Sequence, residues 1–193
     1  MSPRAGLDRK VLAAVERLGR ALRAARQDVA TRHEVSLLGL SVIETLADGR
    51  PRRVGDLAAE LDVSQPTVSD AVAVLDRRGL IRRDRDPADL RSTLVALTAR
   101  GGRVAADTAT ELAPLLAAGS GTATDRATTL RVLLGEIARL HAAGVITVNR
   151  SCLDCLHYRP PGTRSRARCL LLATSLADRD LRVDCPEHQP IPA

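Results

Sequence analysis

Apolar residues recur every three to four positions along the first part of the chain. Leu7, Val11, Val15, Leu18, Leu22 and Val29 mark one face of segment 7–32, and arginines fill the others. This is the spacing of an amphipathic helix. The segment is longer than a small core needs and its stripe is narrow, which favours pairing with another helix over burial within one chain. A second helix is expected over 37–48, stopped by Gly49 with Pro51 beyond it. Two shorter helices follow, 54–61 and 65–78, separated by Asp62-Val63-Ser64. Ser64 is a good N-cap, and Pro66 falls in the first turn, where its missing N–H costs nothing. Leu57, Ala58 and Leu61 on one helix face Val68, Val72 and Leu75 on the other, the helix-turn-helix pattern.

Beyond Gly79 the period changes from helical to alternating. Residues 80–83 read as a strand, 84–91 as a polar turn containing Pro87, and 92–97 as the returning strand. A hairpin directly after a helix-turn-helix is a wing. Thr98 then caps a long helix to about residue 116, and 119–122 form a break. Segment 125–143 is a further helix with Leu130, Leu133, Leu134, Ile137 and Leu140 on one face. The expected fold is mainly α: a winged helix-turn-helix with long dimerisation helices and a small cysteine-rich C-terminal tail. The expected division is 1–35 N-terminal dimerisation helix, 36–102 winged helix-turn-helix, 103–146 C-terminal dimerisation helices and 147–193 cysteine-rich module. There are no internal repeats.

Charge adds a partner to this picture. The net charge is +6 with a pI of about 10.0, and Lys10 is the only lysine. Such an arginine excess suits a phosphate-bearing partner. It also follows from a GC-rich coding sequence, so the location of the arginines matters. From Arg77 to Arg100 there are seven arginines against three aspartates. Aromatic residues reduce to Tyr158, with no Trp or Phe, which argues against base stacking on single strands. No run of 18 apolar residues is present, and the N-terminus lacks an apolar signal core. The expectation is therefore a cytoplasmic protein with no membrane partner.

The motifs of residues 40–102 resemble the MarR family of winged helix-turn-helix regulators. They are Asp56-Leu57-Ala58, Val63-Ser64-Gln65-Pro66-Thr67-Val68-Ser69, Leu75-Asp76-Arg77-Arg78-Gly79-Leu80-Ile81, Asp86-Pro87-Ala88-Asp89-Leu90-Arg91 and Leu97-Thr98-Ala99-Arg100-Gly101. The resemblance implies a homodimer with interlocked terminal helices on a pseudo-palindromic operator in double-stranded DNA. In that arrangement Ser64, Gln65, Thr67 and Ser69 on the second short helix approach base edges or phosphates, although Ser64 is equally well read as a cap alone. Arg82, Arg83 and Arg85 serve as phosphate clamps. Arg91 at the wing tip enters the minor groove, and the resemblance implies that Asp89 orients it through an ion pair. One departure stands out: relatives that bind aromatic acids need an aromatic-lined crease, and this chain has almost no aromatic side chains to build one.

All four cysteines, Cys152, Cys155, Cys169 and Cys185, lie after residue 151. A cytosol disfavours disulfides and favours metal ligation or redox sensing. The spacing C-x2-C-x13-C-x15-C suits four thiolates on a 4Fe–4S cluster or on tetrahedral zinc. One close pair followed by two single cysteines is unlike a zinc ribbon and resembles high-potential iron–sulfur proteins and related small cluster modules. Zinc stays open through Cys185-Pro186-Glu187-His188, with His188 as an alternate ligand; His157, two residues from Cys155, is the weaker candidate. His33 and His141 read as surface or packing residues. Few apolar residues serve the tail, so a bound metal is expected to supply its folding energy.

The function expected from the sequence is a non-enzymatic, dimeric transcription regulator, with repression the favoured polarity. Its operator affinity is modulated by the metal or cluster. The alternatives are a zinc-stabilised regulator without redox sensing, and an electron-transfer or accessory protein built on the cysteine module.

Overall fold

The computed structural model describes residues 3–87, 89–117, 121–163 and 165–191; the side chains of 3–5, 90, 91, 116 and 117 are not among those described. The chain forms two compact units, Met1–Gly119 and Ser120–Ala193. The division falls inside the segment read above as a pair of C-terminal dimerisation helices.

The first unit is a winged helix-turn-helix. It consists of α1 (Pro3–Arg32), α2 (Leu37–Thr45), β1 (Arg52–Arg53), α3 (Val54–Leu61), α4 (Gln65–Arg77), β2 (Ile81–Asp86), β3 (Asp89–Leu97), α5 (Ala99–Leu112) and α6 (Pro114–Ala117), with a 3-10 turn Leu46–Asp48. Its core is aliphatic. Leu40, Val42 and Ile43 of α2 pack with Leu57 of α3, Val68, Val72 and Leu75 of α4, and Ile81 and Val95 of the hairpin. The buried positions of α3 and α4 are the ones the helical spacing selects. Between these helices, Asp62 takes a left-handed conformation with φ 54°, which Asp tolerates better than most side chains. Ser64 caps α4 by accepting from the Thr67 N–H.

The wing is longer than the sequence pattern suggests. β2 reaches Asp86 and β3 starts at Asp89, so the polar stretch 84–91 is largely strand, with a bulge between Arg85 and Asp86. A strand pair extending beyond the body is solvated on both faces and shows no apolar alternation to read. β1 adds a third antiparallel strand to give the order β1-β3-β2.

Thr98 and Gly101 act together at the start of α5. Thr98 caps α5 by accepting from the Gly101 N–H at 3.1 Å, and its hydroxyl donates to the Gly79 carbonyl at 2.8 Å. A Cβ on Gly101 would lie 1.9 Å from the Leu80 carbonyl oxygen. Only glycine lets the first turn of α5 press onto the chain that enters the wing.

α1 differs from the rest of the unit. Val29 and Ala30 are buried near its C-terminal end, whereas Leu7, Val11, Leu12, Val15 and Leu18 are 48–62% exposed. Thirty residues span about 45 Å as helix, and most of that length has no apolar cover among the described residues.

The second unit joins α7 (Ala123–Ala142) to the cysteine-rich segment. α7 begins with a capping box: Thr122 accepts from the Asp125 N–H, and Asp125 accepts from the Thr122 N–H at 2.7 Å. Beyond α7 the pattern predicted no regular elements. The structure contains 3-10 turns at Cys152–Asp154 and Asp178–Asp180, and a small antiparallel sheet. Its strands are β4 (Tyr158–Arg159), β5 (Ala167–Cys169) and β6 (Thr174–Leu176), in the order β4-β5-β6. Strands of two or three residues are too short to carry a period.

Replacing Gly101 with alanine is expected to destabilise the first unit by about 1–3 kcal/mol through overpacking. Chemical denaturation followed by circular dichroism measures it; an unchanged midpoint would contradict the close approach to Leu80.

Candidate nucleic-acid interface and cysteine cavity

The exposed side of α4 and the wing frame an open, polar cleft. It is lined by Arg53, Val54, Gly55, Asp56, Gln65, Ser69, Arg83, Ser92 and Thr93. Two side chains proposed from the sequence for the reading helix, Gln65 and Ser69, open into it. Ser64 and Thr67 do not line it: their hydroxyls share a 2.6 Å hydrogen bond and secure the start of α4. The wing arginines are partly engaged. Arg82 pairs with Asp84, Arg83 Nε lies 3.1 Å from Asp76 of α4, and Arg85 is exposed. Exposed ion pairs of this kind are weak and readily exchanged for phosphate. Asp89 accepts from the Ser92 hydroxyl at 2.7 Å. The Asp89–Arg91 pair and the wing-tip role of Arg91 lie outside the described side chains.

Arg53, Ser92 and Thr93 were missed in the sequence. Arg53 Nε donates to the buried carboxylate of Asp86 at 2.8 Å, joining β1 to the far end of β2. That hydrogen bond and the Asp86 charge raise the Arg53 pKa above its ordinary value. The Arg52-Arg53 doublet was visible in the sequence, but nothing local placed it beside residues more than thirty positions away.

The second site is a cavity in the cysteine-rich segment. Cys152 and Cys155 sit at the two ends of a 3-10 turn, Cys169 ends β5 and Cys185 lies in the closing loop. All four line one small cavity of about 30 Å³, partly open to solvent, together with His157, Tyr158, Leu171, Leu172, Leu176 and Glu187. The four thiols are free. Among the described residues, no group of three or more His, Cys, Asp or Glu side chains is arranged to hold a single metal ion.

Hydrogen bonds converge on the sulfurs from one residue. The Arg182 N–H donates to Cys152 Sγ at 3.2 Å, and Arg182 Nη1 lies 3.6 Å from Cys185 Sγ and 3.2 Å from Glu187 Oε2. Burial raises the Cys152 pKa above its ordinary value; the Arg182 N–H opposes this, and the charges of Cys185, Cys155 and Cys169 add to it. Tyr158 is raised by burial and then by Asp178 and Cys152.

His188, weighed above as an alternate zinc ligand, does not line the cavity. Its Nε2 lies 2.8 Å from the Asp154 carbonyl oxygen. His141 is more than a packing residue, since its Nδ1 is 2.8 Å from the Asp154 carboxylate, which also accepts from Asn149 Nδ2 at 3.2 Å. Asp154 lies between Cys152 and Cys155. It therefore ties the first cysteine turn to α7 and to the loop after Cys185. A second link, Arg131 Nε to Asp178 at 2.9 Å, joins α7 to the other 3-10 turn.

Residues 35–92 match the family model for the MarR family. Solved structures extend the likeness. BldR from Sulfolobus solfataricus is 21% identical, with a TM-score of 0.55 over 70% of this chain and 99% of its own. A MarR family transcription regulator is 23% identical, with a TM-score of 0.63 over 74% and 95%. The family model thus matches the helix-turn-helix and most of the wing, and the solved structures share the winged-helix fold. Wild-type MarR from E. coli in its apo form adds a third likeness at 19% identity, with a TM-score of 0.52 over 65% of this chain and 94% of its own. No curated protein matches the chain. The MarR-type fold thus accounts for the winged unit, and each of these three matches leaves at least a quarter of the chain outside it. Among the described residues, no helix is long and apolar enough to cross a membrane.

Asp154→Ala is expected to loosen the cysteine turn from α7, costing about 1–3 kcal/mol for the groups left unpaired. Faster amide exchange over 150–156 and at the C-terminal end of α7 is the expected readout; unchanged exchange there would count against the tie.

Proposed function

We propose that this MarR-type chain is a homodimeric, DNA-binding transcription repressor whose operator affinity responds to an iron–sulfur cluster held by Cys152, Cys155, Cys169 and Cys185. The observation that carries the DNA-binding part is the open cleft in which Gln65 and Ser69 of α4 stand beside Arg53 and Arg83. Base-edge donors and acceptors next to phosphate-binding cations are what a major-groove reader requires. The exposed apolar row of α1 supports dimerisation, since a contiguous apolar face of this kind needs a partner. Two copies present two reading helices to a pseudo-palindromic operator.

The cysteine cavity supports the cofactor. Around one zinc, thiolates about 2.3 Å from the metal sit roughly 3.8 Å from each other. In a 4Fe–4S cluster each thiolate binds a different iron, so the four stand farther apart around a common space. Four thiols lining one cavity together with Leu171, Leu172 and Leu176 support a cluster held at this place. The route from cluster to DNA runs through α7, tied to the cysteine turns by His141–Asp154 and Arg131–Asp178. Loss of the cluster frees those turns and with them the ordering of the dimer helix.

Electrophoretic mobility shift on duplex operator DNA across a salt series tests the first part. Arg83→Ala and Arg85→Ala are each expected to weaken binding across sequences and to lower the salt slope by about 1. Val15→Asp is expected to give a monomer by sedimentation and to abolish high-affinity binding. A monomeric wild type that ignores duplex DNA at low salt would overturn the proposal.

Anaerobic purification with iron, sulfide and zinc analysis tests the second part. The expected result is a brown protein absorbing near about 400 nm, with the colour lost in Cys152→Ser and Cys155→Ser. Stoichiometric zinc without sulfide would leave a zinc-stabilised regulator in its place.

A further inference from the structure

The cavity among the cysteines is bordered by a buried ring nitrogen that the thiols do not explain. His157 lines it, and its Nε2 is buried without a hydrogen-bond partner among the described residues. The other three histidines are engaged: His33 with Glu111, His141 with the Asp154 carboxylate and His188 with the Asp154 carbonyl. His157 is held in place by its backbone, whose carbonyl accepts from the Leu170 N–H at 2.8 Å. That bond joins the segment after Cys155 to the leucines that follow Cys169, two of which line the same cavity. A buried ring nitrogen left without a partner is costly, and the cavity is the space it borders.

Donors to the ligand sulfurs are otherwise concentrated on one residue. Arg182 supplies its backbone N–H to Cys152 and its guanidinium to Cys185. The neighbouring Leu171, Leu172 and Leu176 have no polar side-chain atom to offer His157, and the Glu187 carboxylate already accepts from Arg182.

We propose that His157 is a positioning residue that donates its Nε2–H to the iron–sulfur cluster held by the four cysteines. This rests on the cluster reading above. A hydrogen bond to a cluster or ligand sulfur withdraws electron density and stabilises the reduced state, so it raises the reduction potential. It also anchors the cluster against loss, as partners beyond the ligands do at metal sites. His157 then sets how readily the cluster is reduced and how long it is retained, without supplying a ligand.

The test uses the full chain, reconstituted anaerobically with iron and sulfide, as wild type, His157→Gln and His157→Leu. Gln keeps an N–H donor of similar reach, whereas Leu keeps bulk alone. The Leu variant is expected to have a lower reduction potential and to lose iron to a chelator about 10-fold faster. The Gln variant is expected to lie close to wild type in both. Pulsed electron paramagnetic resonance of the reduced wild type, carrying 15N-labelled histidine, is expected to show weak nitrogen coupling to the cluster that the Gln variant lacks. This measurement stands even if the Leu variant does not fold. A Leu variant matching wild type in potential and iron retention, or a reduced wild type without the coupling, overturns the role of His157 while the cluster reading survives. A wild type that takes up zinc and no sulfide overturns both.

Discussion

Among its described residues, the second unit buries only four apolar side chains, Leu134, Cys155, Ala167 and Leu181. That is a small core for a segment of some seventy residues, and burial alone cannot offset the entropy of ordering it. What holds the unit in place is polar and directional. The Thr122–Asp125 capping box starts α7, Arg131 pairs with Asp178, and Asp154 gathers His141, Asn149 and His188 around the first cysteine turn. The Arg182 N–H closes onto Cys152. Four thiols from three separate stretches of chain line one cavity within this framework.

The first unit is built on the opposite principle. Its core is continuous, aliphatic and spread over α2, α3, α4 and the base of the hairpin. It can therefore leave its outer surface to function. The wing needs few apolar residues because it is braced at both ends: Gly101 lets α5 seat against Leu80, and Arg53 holds Asp86. Polar residues on α4 and arginines on the hairpin remain exposed around the cleft. The same separation appears along α1, where Val29 and Ala30 anchor one end in the core and the apolar row of the other end stays open.

Asp154 illustrates how the two properties of the tail meet at one position. By sequence it is the second spacer of a C-x2-C turn, and nothing in that motif asks for a carboxylate. In the fold, its side chain faces α7 and its carbonyl faces the segment after Cys185. Its pairing with His141 is one polar link from the cysteine-rich segment to α7, and Arg131–Asp178 is another. His188 changes its meaning in the same way: C-x2-H reads as a ligand pair by spacing, yet the ring serves the backbone of the other cysteine turn.

The sequence by itself determined the elements that repeat with a period. Leu57, Ala58, Val68, Val72 and Leu75 announced the helix-turn-helix, and Thr98 announced the start of α5, because helical spacing and caps are local properties of the chain. The clustering of the cysteines was equally visible along the chain. Tertiary structure alone decided which of these groups meet. It extended the wing into residues with no apolar alternation, placed Arg53 against Asp86, set the His188 ring on the Asp154 carbonyl and brought His157 to the cavity the thiols line. It also divided the helices after the wing between two units. Such contacts join residues tens of positions apart, and their energies depend on burial and orientation, which no local pattern encodes.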